Sequence, residues 1–209
     1  IYTPTHTLSL HDALPISFAG ARSLVAMKHV GLNVAADPFM TLSYTGIKGG
    51  LVIVSADDPS MHSSQNEQDN RHYARFAKVP MLEPANSQEA KDMVGDALDI
   101  SEEFDTPIIL RTTTRISHAK TVVETGERNE KEVPEEFEKD PDKFVMVPAN
   151  AKKRHPVVEE RIAKLKEFAE NSSLNKIEWN KKEIGIITGG VAYNYAKEVF
   201  PEASILKLG

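Results

Sequence analysis

No cysteine occurs among the 209 residues, which excludes disulfides and any thiolate-held zinc or iron–sulfur site within this chain. Aromatic residues are scarce, at 7% with a single tryptophan, and no basic stretch is interleaved with them. Nucleic-acid binding therefore leaves no footprint in the sequence. No apolar run approaches the roughly 20 residues that a membrane span needs. What remains is 40% hydrophobic and 27% charged, with a net charge of −6. That composition buries a core in one or two domains. A chain free of cysteine and membrane spans fits a cytoplasmic protein.

Residues 1–17 stand apart. They lack the basic start and unbroken apolar core of a signal peptide, and Leu8–Ile16 looks like translated sequencing-adapter DNA, so this head reads as foreign. At the other end the chain stops just after an apolar strand, Ser204–Leu208. Both ends read as cut, and the chain as a fragment.

Phe18 to Val30 is rich in Ala, Leu, Val and Met and reads as a helix that Gly31 ends. A second helix is expected over Asn33–Tyr44, entered through Asp37-Pro38. Leu51–Ser55 has no polar face, as expected of a strand covered on both sides. Val79–Leu82 reads as a short strand. A helix over 88–103 follows, capped by Asn86 or Ser87, with Ala90, Val94, Ala97, Leu98 and Ile100 turned inward. Ile108–Thr112 is another strand. Strands that alternate with helices predict an α/β fold with a largely parallel sheet.

Residues 119–182 change character. Seven acidic and three basic residues lie between Asn129 and Lys143, the mark of a solvated linker. A helix starting at His155-Pro156 would then place Val158, Ile162, Leu165 and Ala169 on one face and pack across a domain surface. A strand over Glu183–Thr188, a Gly189-Gly190 turn, a helix over Val191–Phe200 and a strand from Ile205 spell a second β-α-β unit. The G-x-G-x-x-G pattern is absent, so a nucleotide site at this turn has little support. The divisions expected are a foreign head at 1–17, one α/β domain at 18–118, a charged linker with a helix at 119–182, and the truncated start of a second α/β domain at 183–209.

The stretch His62–Tyr73 carries the most chemistry. It follows Asp57-Asp58-Pro59 at the end of a buried strand, where open α/β sheets bind ligands. Ser64 with Glu67 fits a capping box, which predicts a helix from Ser64 with Tyr73, Phe76 and Ala77 inward. Ser63, Ser64, Gln65, Asn66 and Asp69 would then crowd a helix N-terminus that favours anions. His62 and His72 lack the i,i+4 spacing of a helical metal pair, so no metal is assigned. Arg111 and Arg115 could guard the end of a strand near the site, but surface ion pairs are the favoured expectation.

Three motifs in order, Met27–Asp37, Ala56–Arg71 and Leu110–His118, resemble the alpha subunit of the indolepyruvate:ferredoxin oxidoreductase family, and Gly185–Lys197 matches the start of that subunit's next domain. The resemblance spans about 18–209. It implies an enzyme that oxidatively decarboxylates aryl pyruvates with thiamine diphosphate, coenzyme A and ferredoxin, alongside a beta subunit in a hetero-oligomer. The chain would then hold part of a pyrimidine-type thiamine-diphosphate-binding domain with a largely parallel sheet, a linker, and the start of a transketolase-C-like domain. The catalytic glutamate is expected in the segment before Phe18, where the head stands, so no catalytic residue is named. Magnesium and 4Fe-4S clusters would lie outside this fragment. Lys28, His29 and Asn33 would face cofactor or substrate, and Lys28 or Arg71 would pair the substrate carboxylate, arginine through a bidentate fork. Two alternatives stay open: a non-catalytic assembly or regulatory module that keeps the fold, and a related thiamine-dependent decarboxylase or transketolase-type enzyme.

Overall fold

The computed structural model describes residues 9–127, 131–134 and 136–209. Residues 1–8 of the head and part of the acidic linker, including Asn129, therefore fall outside the described residues.

The chain order is α1 (Leu10–Phe18), β1 (Ser23–Lys28), α2 (His29–Val34), α3 (Ala36–Thr45), β2 (Leu51–Asp57), α4 (Arg71–Ala77), β3 (Met81–Leu82), α5 (Ser87–Phe104), β4 (Ile108–Thr113), α6 (Thr114–Ser117), α7 (Pro141–Phe144), α8 (Pro148–Asn171), β5 (Lys176–Glu178), β6 (Lys181–Gly189), α9 (Ala192–Val199) and β7 (Ala203–Leu208). Strands β1-β2-β4-β3 form one sheet, all parallel. Strands β5-β7-β6 form a second, in which β6 and β7 are parallel and β5 is antiparallel.

The expected α/β architecture with a parallel sheet is present. Side chains of the first sheet alternate between two cores, as the period of a strand requires. Leu51, Ile53 and Ile109 face one core with Leu32, Phe39 and Leu42. Val52, Ile108 and Leu110 face the other with Met93, Ala97, Ile100 and Leu165.

Several local expectations fail. The Phe18–Val30 helix is the end of α1 and then strand β1, and Gly31 sits inside α2 rather than ending a helix. Ala, Leu and Met favour helices, but a parallel register from Ser23↔Leu51 to Lys28↔Ala56 overrides that preference. The expected boundary at 17/18 falls within α1, whose Leu10, Ala13 and Ser17 are buried. Its first turn is closed by a capping box between Ser9 and Asp12.

Helix α5 is capped by Asn86, which accepts the Glu89 amide at 2.9 Å. Its inner stripe gains Met93, which the sequence pattern missed. Helix α8 begins at Pro148 and carries Pro156 within it, instead of starting there. Val158 and Leu165 are buried, as expected. Arg154 Nε and Arg161 Nη1 donate to the carbonyls of Tyr44 (2.8 Å) and Ser43 (3.0 Å), so α8 caps the C-terminus of α3. Much of the expected linker is thus part of the folded body, and the second sheet starts at Lys176 rather than Glu183.

Candidate active site at the strand ends

All four strands of the first sheet run parallel, so their C-terminal ends share one edge. Lys28 and His29 lie at the end of β1, Asp57 and Asp58 at the end of β2, Glu83 just after β3, and Thr113 and Thr114 at the end of β4. Ligands of open α/β sheets bind at this edge.

Residues 58–70 cross the edge as an irregular loop. Ser60 (φ 68) and Met61 (φ 55) take the left-handed conformation that turns it. No helix starts at Ser64: α4 begins at Arg71 after an Asn70 cap. The capping box fails because Glu67 accepts the Ser60 amide at 2.6 Å instead of reaching back to Ser64. Residues 63–69 therefore do not form a helix N-terminus. Phe76 is 76% exposed rather than inward, whereas Ala77 is buried as expected and Ala74 is buried with it.

Asp58 ties the loop down. Its Oδ2 accepts the Ser63 amide (2.8 Å), and its Oδ1 accepts the His62 amide (3.0 Å) and the Thr114 hydroxyl (2.8 Å). The Ser63 amide first, and Thr114 and His62 with it, hold this carboxyl well below the usual carboxylate range against the opposing effect of burial.

The sequence-named residues converge here. Lys28 Nζ donates to the Ser63 carbonyl and hydroxyl, both at 3.2 Å. The fully buried His29 places Nε2 3.2 Å from the Asn66 carbonyl. Asn33 Nδ2 donates to Gln68 Oε1 at 2.7 Å, and Asn33 Oδ1 accepts the Tyr73 hydroxyl. Ser64, within the loop, has a buried hydroxyl. Gln65 is exposed and makes no side-chain hydrogen bond among the described residues. Lys28, His29 and Asn33 thus all contact the loop, although the loop is not helical.

Asp69 and Arg71 belong to a second cluster. Arg71 Nε and Nη2 donate to Asp69 Oδ1 (2.8 Å) and Oδ2 (2.7 Å). Its bidentate fork is therefore engaged within the chain, and Nη1 is the donor left over. Arg71 holds the Asp69 carboxyl at about 2, against the usual 3.8.

At the centre of this cluster stands Arg111, at the strand end that was the less favoured of its two expected places. Arg111 is 8% exposed, not a surface residue. Its Nε donates to Asp57 Oδ2 at 2.7 Å and its Nη1 to Glu83 Oε1 at 2.6 Å. Asp57 also accepts the Asn70 amide (3.0 Å) and the Ser55 hydroxyl (2.9 Å). The signal that could have found it was a charged residue at the end of each of three apolar strands: Asp57, Glu83 and Arg111.

A cavity of about 190 Å³ opens over this cluster, lined by Arg71, Glu83, Arg111 and Thr113 from the first sheet and by Gly189, Gly190, Val191 and Ala192 from the second unit. The turn permits the approach: Gly190 has φ +54, and a Cβ there would stand 3.4 Å from Glu83 Oε2. A larger cavity, about 300 Å³, lies by Ile184, Val199 and Phe200 and contains neither arginine. Three polar atoms at or beside the strand ends, His29 Nδ1, Asn70 Oδ1 and Thr113 Oγ1, are buried without a hydrogen-bond partner among the described residues. Buried polar atoms left unpaired mark a place where something else completes the hydrogen bonding.

Comparisons with known proteins agree with this geometry. Residues 16–185 match the family described as pyruvate flavodoxin/ferredoxin oxidoreductase, thiamine diphosphate-binding. The chain is 48% identical to the indolepyruvate oxidoreductase subunit IorA of Methanothermobacter marburgensis over 208 residues, 97% of this chain and 34% of that protein. It is 48% identical to the Pyrococcus horikoshii subunit of the same name over 220 residues, 100% of this chain and 34% of that protein. The chain thus spans about a third of the length of the curated relatives it matches. Among solved structures, a 2-oxoglutarate:ferredoxin oxidoreductase from Magnetococcus marinus superposes with a TM-score of 0.66 at 14% identity, over 94% of this chain and 43% of that one; this likeness speaks to fold. With most of its length matched, the chain belongs to the pyruvate flavodoxin/ferredoxin oxidoreductase family, in its thiamine diphosphate-binding domain.

Proposed function

We propose that this chain forms part of the subunit that oxidatively decarboxylates aryl pyruvates, indolepyruvate foremost, to acyl-CoA, with electrons passed to ferredoxin. One observation carries the reading: two basic side chains, Lys28 and Arg71, stand over the same strand-end edge of a thiamine-diphosphate-family sheet. The relatives' name supports the substrate, and the solved neighbour carries 2-oxoglutarate, coenzyme A and succinyl-CoA.

The residues present fit one part of thiamine diphosphate. His29 Nδ1, Asn70 Oδ1 and the Thr113 hydroxyl are unpaired, and an aminopyrimidine ring offers donors and acceptors to such groups. No cluster of three His, Asp or Glu suited to a metal occurs among the described residues. By the family resemblance, magnesium, the diphosphate contacts and 4Fe-4S clusters are assigned outside this segment, as is the glutamate that would bond the pyrimidine. Bound thiamine diphosphate supplies the carbon nucleophile and the electron sink that decarboxylation needs.

This chain's own part is to orient the substrate. Arg71 Nη1, with Nε and Nη2 already on Asp69, offers a directed donor to a 2-oxo acid carboxylate. Lys28 adds a second cation on the other side of the loop. Residues 176–209 would begin the next, transketolase-C-like domain. No helix among the described residues is long and apolar enough to cross a membrane. The reading places the enzyme in the cytoplasm, where it would meet a beta subunit and ferredoxin.

The test is assay of the full-length subunit with its beta partner, thiamine diphosphate, magnesium and coenzyme A, following ferredoxin reduction by indolepyruvate. Replacement of Arg71 by Ala is expected to raise KM at least about tenfold, on the order of the loss of one charge-assisted contact. An assembled, cofactor-loaded complex that turns over no aryl pyruvate would sink the reading.

A further inference from the structure

Arg71 is flanked by two residues whose positions both trace to Arg111. On one side stands Asp69, which grips the Arg71 guanidinium through two hydrogen bonds, 2.8 and 2.7 Å, and whose Oδ1 lies 3.8 Å from Arg111 Nη2. On the other stands Asn70, whose amide is held at 3.0 Å by Asp57 Oδ2, the same oxygen that accepts Arg111 Nε at 2.7 Å. Asn70 Nδ2 is fixed as well, donating to Ser55 Oγ at 2.8 Å. Arg111 Nη1 is anchored on Glu83 at 2.6 Å. The Asp57 side chain is fully buried, and Asn70 is too, so neither can shift without repacking the sheet edge.

We infer that Arg111 is a positioning residue: it sets Asp69 and Asn70, and through them aims Arg71 at the substrate carboxylate. This rests on the reading of Arg71 as the carboxylate's partner. The geometry explains a costly choice. A guanidinium and a carboxylate buried together add little net stability over apolar residues of similar volume. Their fixed geometry matters where a mobile side chain must be held. Arg71 is such a side chain, more than half exposed and on the first turn of a short helix. Lysine could not replace Arg111, because one ammonium lacks the planar fork that meets Asp57 and Glu83 at once while keeping Nη2 toward Asp69. Arg111 acts on the substrate only through Arg71, so the two arginines should not contribute independently.

That dependence is the test. R71K, R111K and the double variant are compared in the assembled enzyme for KM and kcat with an aryl 2-oxo acid. Each single variant is expected to raise KM about tenfold with kcat changed less than about threefold, and the double variant to be no worse than the poorer single one. Should R111K fail to fold, D69N cuts the link between the arginines without touching the buried Asp57 pair, and the same rise in KM is expected. A further readout is rescue: millimolar guanidinium should restore R71A while Arg111 is intact and should fail in R71A/R111K. Multiplying effects of the two lysine variants, or a normal KM in R111K and D69N beside an impaired R71K, overturns the positioning role alone. A normal KM in R71K overturns the carboxylate reading beneath it.

Discussion

Strand β2 has no exposed residue, whereas β6, which also carries β-branched apolar residues, leaves Ile187 72% and Ile184 48% exposed. The two strands are built alike, each feeding a helix and then a parallel strand, and differ in what covers them. β2 is flanked by β1 and β4 and lies between two cores that draw on α1–α4 on one face and α5 and α8 on the other. β6 is an edge strand, paired with β7 alone and packed by α9. In the second sheet only the central strand is well buried, with Ala203, Ile205 and Lys207 inside. Lys207 pairs with Glu89 of α5, and Asn194 Nδ2 donates to the Ala85 carbonyl at 2.6 Å, so the second unit is fastened to the first by polar contacts. Stability and site precision should therefore reside in the first unit. Parallel strands are apolar because both faces expect cover, and in the second unit that expectation is unmet among the described residues.

The largest effect expected is in the first unit. Phe39 is fully buried in the core that supports β1 and β2. Phe39→Ala should cost about 3–5 kcal/mol of unfolding free energy, the usual range for a large aromatic deleted from a closed core. Urea denaturation reads it. A loss below about 1 kcal/mol would mean that the first unit is no better packed than the second.

Acid should separate the units next. Arg22 above all, working against burial and aided by Lys131 and the Gly50 amide, holds the Glu102 carboxyl at about 2, against the usual 4.5. The contacts are short: 2.7 and 2.8 Å from Arg22 and 2.5 Å from Lys131. A carboxyl whose folded pKa lies below its unfolded value stabilises fully above the unfolded value, and that contribution fades as the pH falls through the folded one. Glu102 thus supports the first unit above pH 4.5 and ceases to do so as the pH falls to about 2. Glu102→Gln should lower the melting temperature at pH 7 and leave it closer to wild type near a pH of about 2. In the second unit, Glu178 is also held below its usual range, by the Tyr193 hydroxyl and Lys197, but near solvent. Glu178→Gln should flatten the same curve much less, since exposed pairs are worth little. Equal acid sensitivity of the two variants would remove the distinction.

Much of this was legible in the sequence, and the failures share a cause. Strands β2, β4, β6 and β7 and helix α5 announce themselves through local pattern: an apolar run, a cap, a glycine or proline stop. Strand β1 does not. Its Leu24, Ala26 and Met27 are helix formers, and Ser23–Lys28 is held extended by its pairing with β2, which no local pattern reveals. The 62–70 loop misled because Ser64 and Glu67 have the spacing of a cap, yet Glu67 is used on Ser60. At the site, Lys28, His29 and Asn33 were expected through the family resemblance, while the pairing of β1 with β2 that brings them to the loop was not foreseen. The network that joins Arg111 to Asp57 and Glu83 was not legible, since contacts across 54 and 28 residues carry no local signature.

The smallest effect on stability should come from the second unit, and it tests the comparison from the other side. Ile187 is exposed on β6, near an edge whose backbone has a partner on one side only. Ile187→Lys removes little buried area, so the unfolding free energy should change by less than about 0.5 kcal/mol, the usual span for exposed sites. Its effect should appear in association instead, because an apolar edge strand is a template for pairing with another chain and a lysine blunts it. Light scattering at rising concentration should show wild type self-associating before the variant does. If Ile187→Lys destabilises as strongly as a core substitution, β6 is covered in solution, and the second sheet is a closed unit like the first.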